Sequence, residues 1–283
     1  MENLITVVVP TYNAGKDFND FCRMLKNQTA IVAKVIVIDS SSTDNTVAIA
    51  RKYGFSVKVI SKNDFGHGKT RQIALEMAET EIVCFLTQDA LLADNTSVEK
   101  LVSFLFQDEL LGAVYGRQLP NPHTGILGAF ARIYNYPEQS FINCFEDRER
   151  KGLKTAFLSD TFSAYKKSVL QKVGGFPLHS NFGEDSYVAA KMLMAGYKTG
   201  YCAEAKVFHA HDYTFQQEWN RAKEIKQFHN SEPWLLETFG RPEGEGVKFL
   251  LAQIEYLAGN GYLLTIPVAI IQDIIKFLGY KVG

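Results

Sequence analysis

Glu81-Ile-Val-Cys-Phe-Leu-Thr-Gln-Asp-Ala90 is an apolar run that closes on a single carboxylate. Ile82–Leu86 shows no polar alternation, the pattern of a strand covered on both faces inside an α/β sheet. Open α/β sheets place ligands at the carboxyl ends of such strands, so Asp89 stands where a hard cation and a phosphorylated substrate could meet. A carboxylate after a strand also serves as a turn residue or a helix cap, so the neighbouring segments have to decide between these roles.

On either side of this run, strands and helices alternate. Residues 4–9, 35–38 and 57–60 read as strands like 82–86, and 16–27, 46–53, 69–79 and 97–108 as helices. Phe18, Phe21, Cys22 and Leu25 fall on one face of the first helix. This alternation predicts a mostly parallel sheet, flanked by helices, with right-handed crossovers. After a strand at 112–115, residues 120–156 are rich in aromatics without a clear period, which predicts long loops. Segments 158–165, 198–203 and 205–209 read as strands, 167–173 and 186–195 as helices, and Gly174-Gly-Phe-Pro177 as a turn. From Thr214 the pattern is helical, broken by Pro233 and by residues 240–246, so the chain divides into 1–213 and a helical region, 214–283.

The bulk properties exclude several classes. A chain of 283 residues buries a core, and 46% hydrophobic with 22% charged residues is ordinary for a globular protein. A net charge of −1 offers no field for gripping nucleic acid, and the basic run 148–154 is interleaved with acids. Cys22, Cys84, Cys144 and Cys202 are scattered, without metal spacing, which predicts reduced thiols and a cytoplasmic setting. The start has no basic stretch before its first strand, so no signal peptide is expected. Residues 261–271 contain Pro267 and fall short of the ~20 residues that span a bilayer. The expectation is a chain that is soluble or rests on a membrane surface, and does not cross one.

Five segments carry chemistry. Pro10-Thr-Tyr-Asn13 follows the first strand, where Tyr12 could stack on a nucleobase or simply pack in a turn. After the second strand, Asp39 and Ser40 could bond a base edge or ribose hydroxyls, and Asp44 reads as a helix cap. Gly66-His-Gly-Lys-Thr-Arg71 is not a P-loop, because Asn63 stands where that motif needs glycine. It remains a helix entry with Lys69 and Arg71 placed for a diphosphate, or as solvated cations. Asn181-Phe-Gly-Glu-Asp-Ser186 sets two carboxylates before a helix, one able to cap it and one to act as a general base. His209 and His211, two apart in an extended segment, share a face and could join Asp89 at a metal, or one could bind phosphate.

In this order, TVVVPTYNAG, VIVIDSSSTDNT, GHGKTR, FLTQDA, GEDS and FHAH resemble a family 2 glycosyltransferase of the GT-A fold, over roughly residues 4–215. The resemblance implies a sugar nucleotide at the carboxyl edge of the sheet, contacted by Pro10, Tyr12, Asp39, Ser40, Lys69, Arg71, Gln88 and Asp89. It implies Mg²⁺ or Mn²⁺ on Asp89, with His209 or His211 nearby, and Asp185 as base with Glu184 beside it. Ser40 in place of a second Asp, Thr87-Gln88-Asp89 with its single carboxylate, YGRQLP and SDTFSAY look like the rhamnosyltransferase branch, which uses dTDP-L-rhamnose. That branch implies sugar or acceptor contacts at Arg117, Gln118 and Asp160, the last standing where Asn is common.

The implied reaction is inverting transfer of rhamnose to a saccharide or lipid-linked saccharide, for a bacterial surface polysaccharide, in the cytoplasm or at the inner face of the cell membrane. The alternatives are a UDP-glucose, UDP-galactose or UDP-GlcNAc donor, or a sugar-nucleotide-binding subunit without turnover. In the C-terminal region Phe249, Leu250, Ile254 and Leu257 recur at helical spacing and 266–278 is apolar. Packing, a homodimer interface and a membrane-surface contact all remain open for it.

Overall fold

The computed structural model describes residues 4–180, 182–242 and 244–283. The expectations that touch Met1–Asn3, Asn181 and Glu243 lie outside these residues. The chain divides into two compact units. The first takes the chain to Gln118, with Pro137–Asp147 and Thr155–His209; the second takes Leu119–Tyr136, Arg148–Lys154 and Ala210–Gly283. The second unit thus draws in two segments from the middle of the chain that a single cut near 213 leaves out.

The first unit is built on one nine-stranded sheet. Its strands are β1 (Ile5–Thr11), β2 (Val32–Asp39), β3 (Ser56–Val59), β4 (Ile82–Leu86), β5 (Leu91–Leu92), β6 (Leu111–Leu119), β7 (Phe141–Asn143), β8 (Phe162–Lys166) and β9 (Lys198–Phe208). Their order is β3-β2-β1-β4-β8-β6-β9-β5, with β7 also on β9. β1 to β4 run parallel, and Val7 pairs with both Val35 and Cys84. β8 is antiparallel to β4 and β6, and β5 and β7 are antiparallel to β9, so the sheet is mixed beyond β4. β9 is one continuous strand where two pieces were predicted, and the strand begun at 112 reaches Leu119.

The two-sided reading of the opening run holds: all five residues of β4 are buried. Each fully buried Ile, Leu or Phe contributes about 1.5–3 kcal/mol, so β1, β2 and β4 with Phe18, Phe21 and Leu25 from the helix Phe18–Lys26 form the apolar centre of this unit. The parallel arrangement brings the carboxyl ends of β1, β2 and β4 to one edge. There Thr11 pairs in register with Asp39. The helix His67–Met77 starts against the 177–180 turn, where a Cβ on Gly68 would meet the Pro177 carbonyl oxygen at 1.9 Å. Glycine is required there by close approach.

The second unit corrects two readings. Residues 120–156, expected as long loops, include the helix Ile126–Asn135. Only Phe130 of it is fully buried, its ring tilted against Phe249 and Tyr256 at 5.3 and 5.1 Å between centroids. The apolar stretch judged too short continues into a helical run, Leu263–Val282, of 20 residues with mean hydropathy 1.5, long and apolar enough to cross a membrane by length and composition. Gln272 and Asp273 interrupt the run in sequence but are turned inward: Gln272 Nε2 donates to Glu218 Oε1 at 2.7 Å, and Asp273 pairs with Lys276 at 3.0 Å. Glu218 belongs to the helix Phe215–Ser231, which opens on a Thr214/Gln217 capping box. Leu264 (95% exposed), Val268, Ile271, Ile274, Leu278 and Val282 are left as an exposed stripe at helical spacing.

Candidate active site

The loops after β1, β2 and β4 are tied together by side chains that were expected to face a nucleotide. Asp39 is buried and accepts from Thr11 Oγ1 at 2.8 Å, Ser42 Oγ at 2.6 Å and Ser42 N at 2.8 Å. Both its oxygens are engaged in holding the strand ends, which corrects the expectation that it faces a base or ribose. Asp44 caps the helix Thr46–Lys52 from one residue ahead of the cap position, accepting from Thr46 N at 3.0 Å, and it also binds Gly15 N. Gln88 likewise serves the loop: its amide accepts from Tyr12 N at 2.8 Å and donates to Tyr12 O at 3.1 Å.

That double bond fixes the backbone of Tyr12 just past Pro10 and leaves the ring exposed. Lys62, which the sequence reading missed, donates to Tyr12 Oη at 2.9 Å and lies 4.6 Å from its ring centroid. Its position in the turn after β3 was the available signal, since that turn opens on the same edge. Ser40 is buried and its Oγ has no hydrogen-bond partner among the described residues. Lys69 is half-buried and pairs with Asp64 at 3.1 Å.

Asp89 and His209 come together. His209 Nε2 lies 3.5 Å from Asp89 Oδ2, with the imidazole mostly buried and the carboxylate half exposed. A carboxylate oxygen and an imidazole nitrogen this close together, the carboxylate half open to solvent, fit a divalent cation of the Mn²⁺ or Mg²⁺ type. His211 stands two residues beyond His209, half-buried, in the first residues of the second unit. Gln118, expected as a sugar contact, is buried, with Oε1 2.9 Å from His209 Nδ1. Arg117 is paired with Glu138 at 3.1 Å.

The largest correction concerns Arg71. The helix His67–Met77 turns it inward, buried, with Nε 2.9 Å from Asp160 Oδ2 and Nη1 2.5 Å from Glu184 Oε1. It is not presented to a diphosphate. Asp160 is equally buried and accepts from Ser163 Oγ at 2.6 Å and Tyr165 Oη at 2.7 Å, so it is no acceptor contact either. Strand alternation in β8 sets Ser163 and Tyr165 on one face, a signal that could have marked Asp160 as a partner of that face. Burial opposes the charge on Arg71, but Glu184, Asp160 and Asp185 outweigh it and raise its pKa. Burial raises the Asp160 carboxyl above its ordinary value.

Glu184 and Asp185 open the helix Glu184–Met194, and Gly183, at φ 73°, takes the cap position expected of one of them. Asp185 points otherwise than Glu184. It is half-buried, its Oδ1 accepts from Ser186 N at 2.7 Å and its Oδ2 from Asp160 N at 3.3 Å. Removal from water, then repulsion by Glu184 and Asp160, push its carboxyl up to about 8 despite Arg71. A partly accessible carboxyl poised near neutrality suits proton abstraction from a hydroxyl.

Comparison with known proteins places the whole chain in one family. The chain is 42% identical over 281 residues to the O-antigen chain rhamnosyltransferase RfbN of Salmonella typhimurium, covering 99% of this chain and 89% of that one. It is 43% identical over 280 residues to the O-antigen chain rhamnosyltransferase WbaN of Salmonella anatum, covering 98% and 88%. Its fold matches that of a mannosyltransferase from Pyrobaculum calidifontis solved with GDP-Man and Mn²⁺, with TM-score 0.64 and 20% identity over 98% of this chain and 86% of that one. The mixed sheet flanked by helices is the GT-A fold. The glycosyl transferase family 2 pattern matches residues 6–174, and with these end-to-end relatives it shows that the chain belongs to glycosyl transferase family 2.

Proposed function

We propose that this glycosyltransferase transfers L-rhamnose, with inversion, from dTDP-L-rhamnose to a saccharide hydroxyl on a lipid-linked precursor of O-antigen. The observation that carries this reading is identity above 40% along nearly the whole chain with two O-antigen chain rhamnosyltransferases. Tyr12, held by Gln88 and flanked by Lys62, offers its ring to the base, and the Ser40 hydroxyl, without a partner among the described residues, offers a neutral bond beside it. Lys69 supplies positive charge to the diphosphate in place of Arg71. A divalent cation would be held by Asp89 and His209, with His211 as the next donor along the chain, and supplies charge that offsets the negative charge developing on the leaving dTDP.

Asp185 takes the acceptor proton as the hydroxyl oxygen attacks C1 from the face opposite the leaving group, so configuration inverts. The backbone N–H groups of Ser186 and Asp160 hold that carboxyl in place. The reaction belongs in the cytoplasm, in keeping with four free cysteines, two of them buried thiols raised to about 12. The exposed stripe from Leu264 to Val282 is proposed to rest on the membrane that carries the acceptor.

The test supplies the purified protein and Mn²⁺ with dTDP-L-rhamnose, UDP-glucose, UDP-galactose or UDP-GlcNAc in turn, and follows nucleotide release with and without a lipid-linked glycan. Release from dTDP-L-rhamnose alone is expected. Turnover of a UDP-hexose with dTDP-L-rhamnose inert overturns the donor assignment.

A further inference from the structure

We propose that Gln118 is a positioning residue for the cation site: its side-chain amide sets the tautomer and ring plane of His209, so that Nε2 presents a lone pair beside Asp89. This rests on reading Asp89 and His209 as cation ligands. Gln118 lies near the end of β6, and His209 directly follows β9, the neighbouring strand. Gln118 is 2% exposed, so water does not compete for its bonds. Its Nε2 donates to Ser159 Oγ at 2.9 Å, which turns Oε1 toward His209 Nδ1, also at 2.9 Å.

A carbonyl oxygen only accepts, so Nδ1 carries the ring proton. Neutral imidazole then has its lone pair on Nε2, the atom 3.5 Å from Asp89 Oδ2. Histidines that bind metals commonly donate their second ring N–H to such a partner, and loss of that partner weakens metal binding by roughly 10–100-fold. Ser159, Gln118 and His209 therefore form a relay that orients a ligand without touching the sugar nucleotide.

The experiment labels histidine with ¹⁵N and reads the His209 ring by long-range ¹H–¹⁵N correlation, with Mn²⁺ affinity measured by calorimetry on the same samples. The wild type without metal is expected to carry the proton on Nδ1. Q118M, similar in length but unable to accept, is expected to move the proton toward Nε2 and to weaken Mn²⁺ binding by roughly 10–100-fold. Q118E keeps an acceptor at the same place, can still take a bond from Ser159, and is expected to bind Mn²⁺ at least as well as the wild type. A wild-type Nε2–H tautomer, unchanged Mn²⁺ affinity in Q118M, or a Q118E as weak as Q118M overturns the proposal. If Q118M does not fold, the wild-type tautomer and Q118E decide. A wild type with Nδ1–H that takes up no Mn²⁺ overturns the cation reading, and the relay with it.

Discussion

Arg71 Nη1 lies 2.5 Å from Glu184 Oε1, joining the helix after β3 to the helix that carries Asp185. With Asp160 on its Nε, the guanidinium is the cation among three acidic groups removed from water. Taking one partner from a buried ion pair costs about 3–5 kcal/mol, because a charge is left uncompensated. Arg71→Met is therefore expected to lower unfolding stability on that scale in urea titrations while leaving dTDP affinity nearly unchanged in protein that remains folded. A variant of wild-type stability that has lost dTDP binding would return Arg71 to the diphosphate.

Asp185, raised from 3.8 to about 8, sets two pH dependences. With the Asp185 carboxylate as the proposed base, kcat/KM is expected to climb with pH and level off above about 8. Because the folded-state value is the higher one, the group's contribution to stability is complete below its unfolded value near 3.8 and is lost as pH rises through about 8. Asp185→Asn should cut turnover by at least ~10²-fold and flatten that part of the stability profile. Asp160→Asn, which removes a repelling charge, should move the activity midpoint to lower pH. Near wild-type turnover in Asp185→Asn would transfer the base role elsewhere.

Excess EDTA is expected to abolish transfer by the wild type, with Mn²⁺ restoring it, and Asp89→Ala should be inactive at any Mn²⁺ concentration tested. Full activity in EDTA would leave charge neutralisation to Lys69 and its neighbours.

Ser40 puts a buried neutral hydroxyl at the end of β2, the position proposed to read the base. Calorimetry is expected to find dTDP bound more tightly than UDP. A preference for UDP of more than about 1.4 kcal/mol, a factor of ten, would count against the rhamnose donor.

Deleting residues 263–283 removes the exposed stripe together with its contacts to Phe215–Ser231. If the stripe serves the membrane, the shortened protein should still release dTDP slowly from dTDP-L-rhamnose but lose flotation with liposomes. That flotation should resist salt in the full-length protein, because an apolar contact is not screened. Halved mass in solution would assign the stripe to a second copy, and insoluble protein would assign the segment to the fold.

Much of the first unit was legible because its signals are local. Runs such as Val35–Ile38 and Ile82–Leu86 are short, apolar without alternation and rich in β-branched residues, which suits a strand covered on both faces, and their carboxyl ends locate Ser40 and Asp89. The helix Ile126–Asn135 was missed although its apolar residues recur at helical spacing; what the sequence does not show is the cover of Phe130, which comes from Phe249 and Tyr256, more than a hundred residues away. The apolar helix Leu263–Val282 was cut short for a similar reason: Gln272 looks like an interruption until Glu218 is placed against it.

By itself the sequence determined which side chains stand at the strand ends, since spacing along a strand or helix is a property of the local backbone. Tertiary structure alone decided what each of them does there. Gln88 bonds Tyr12 across 76 residues, Gln118 reaches His209 across 91, and Arg71 turns inward to Asp160 and Glu184. A buried polar group must find a partner, and its identity depends on which strand ends the sheet order brings together.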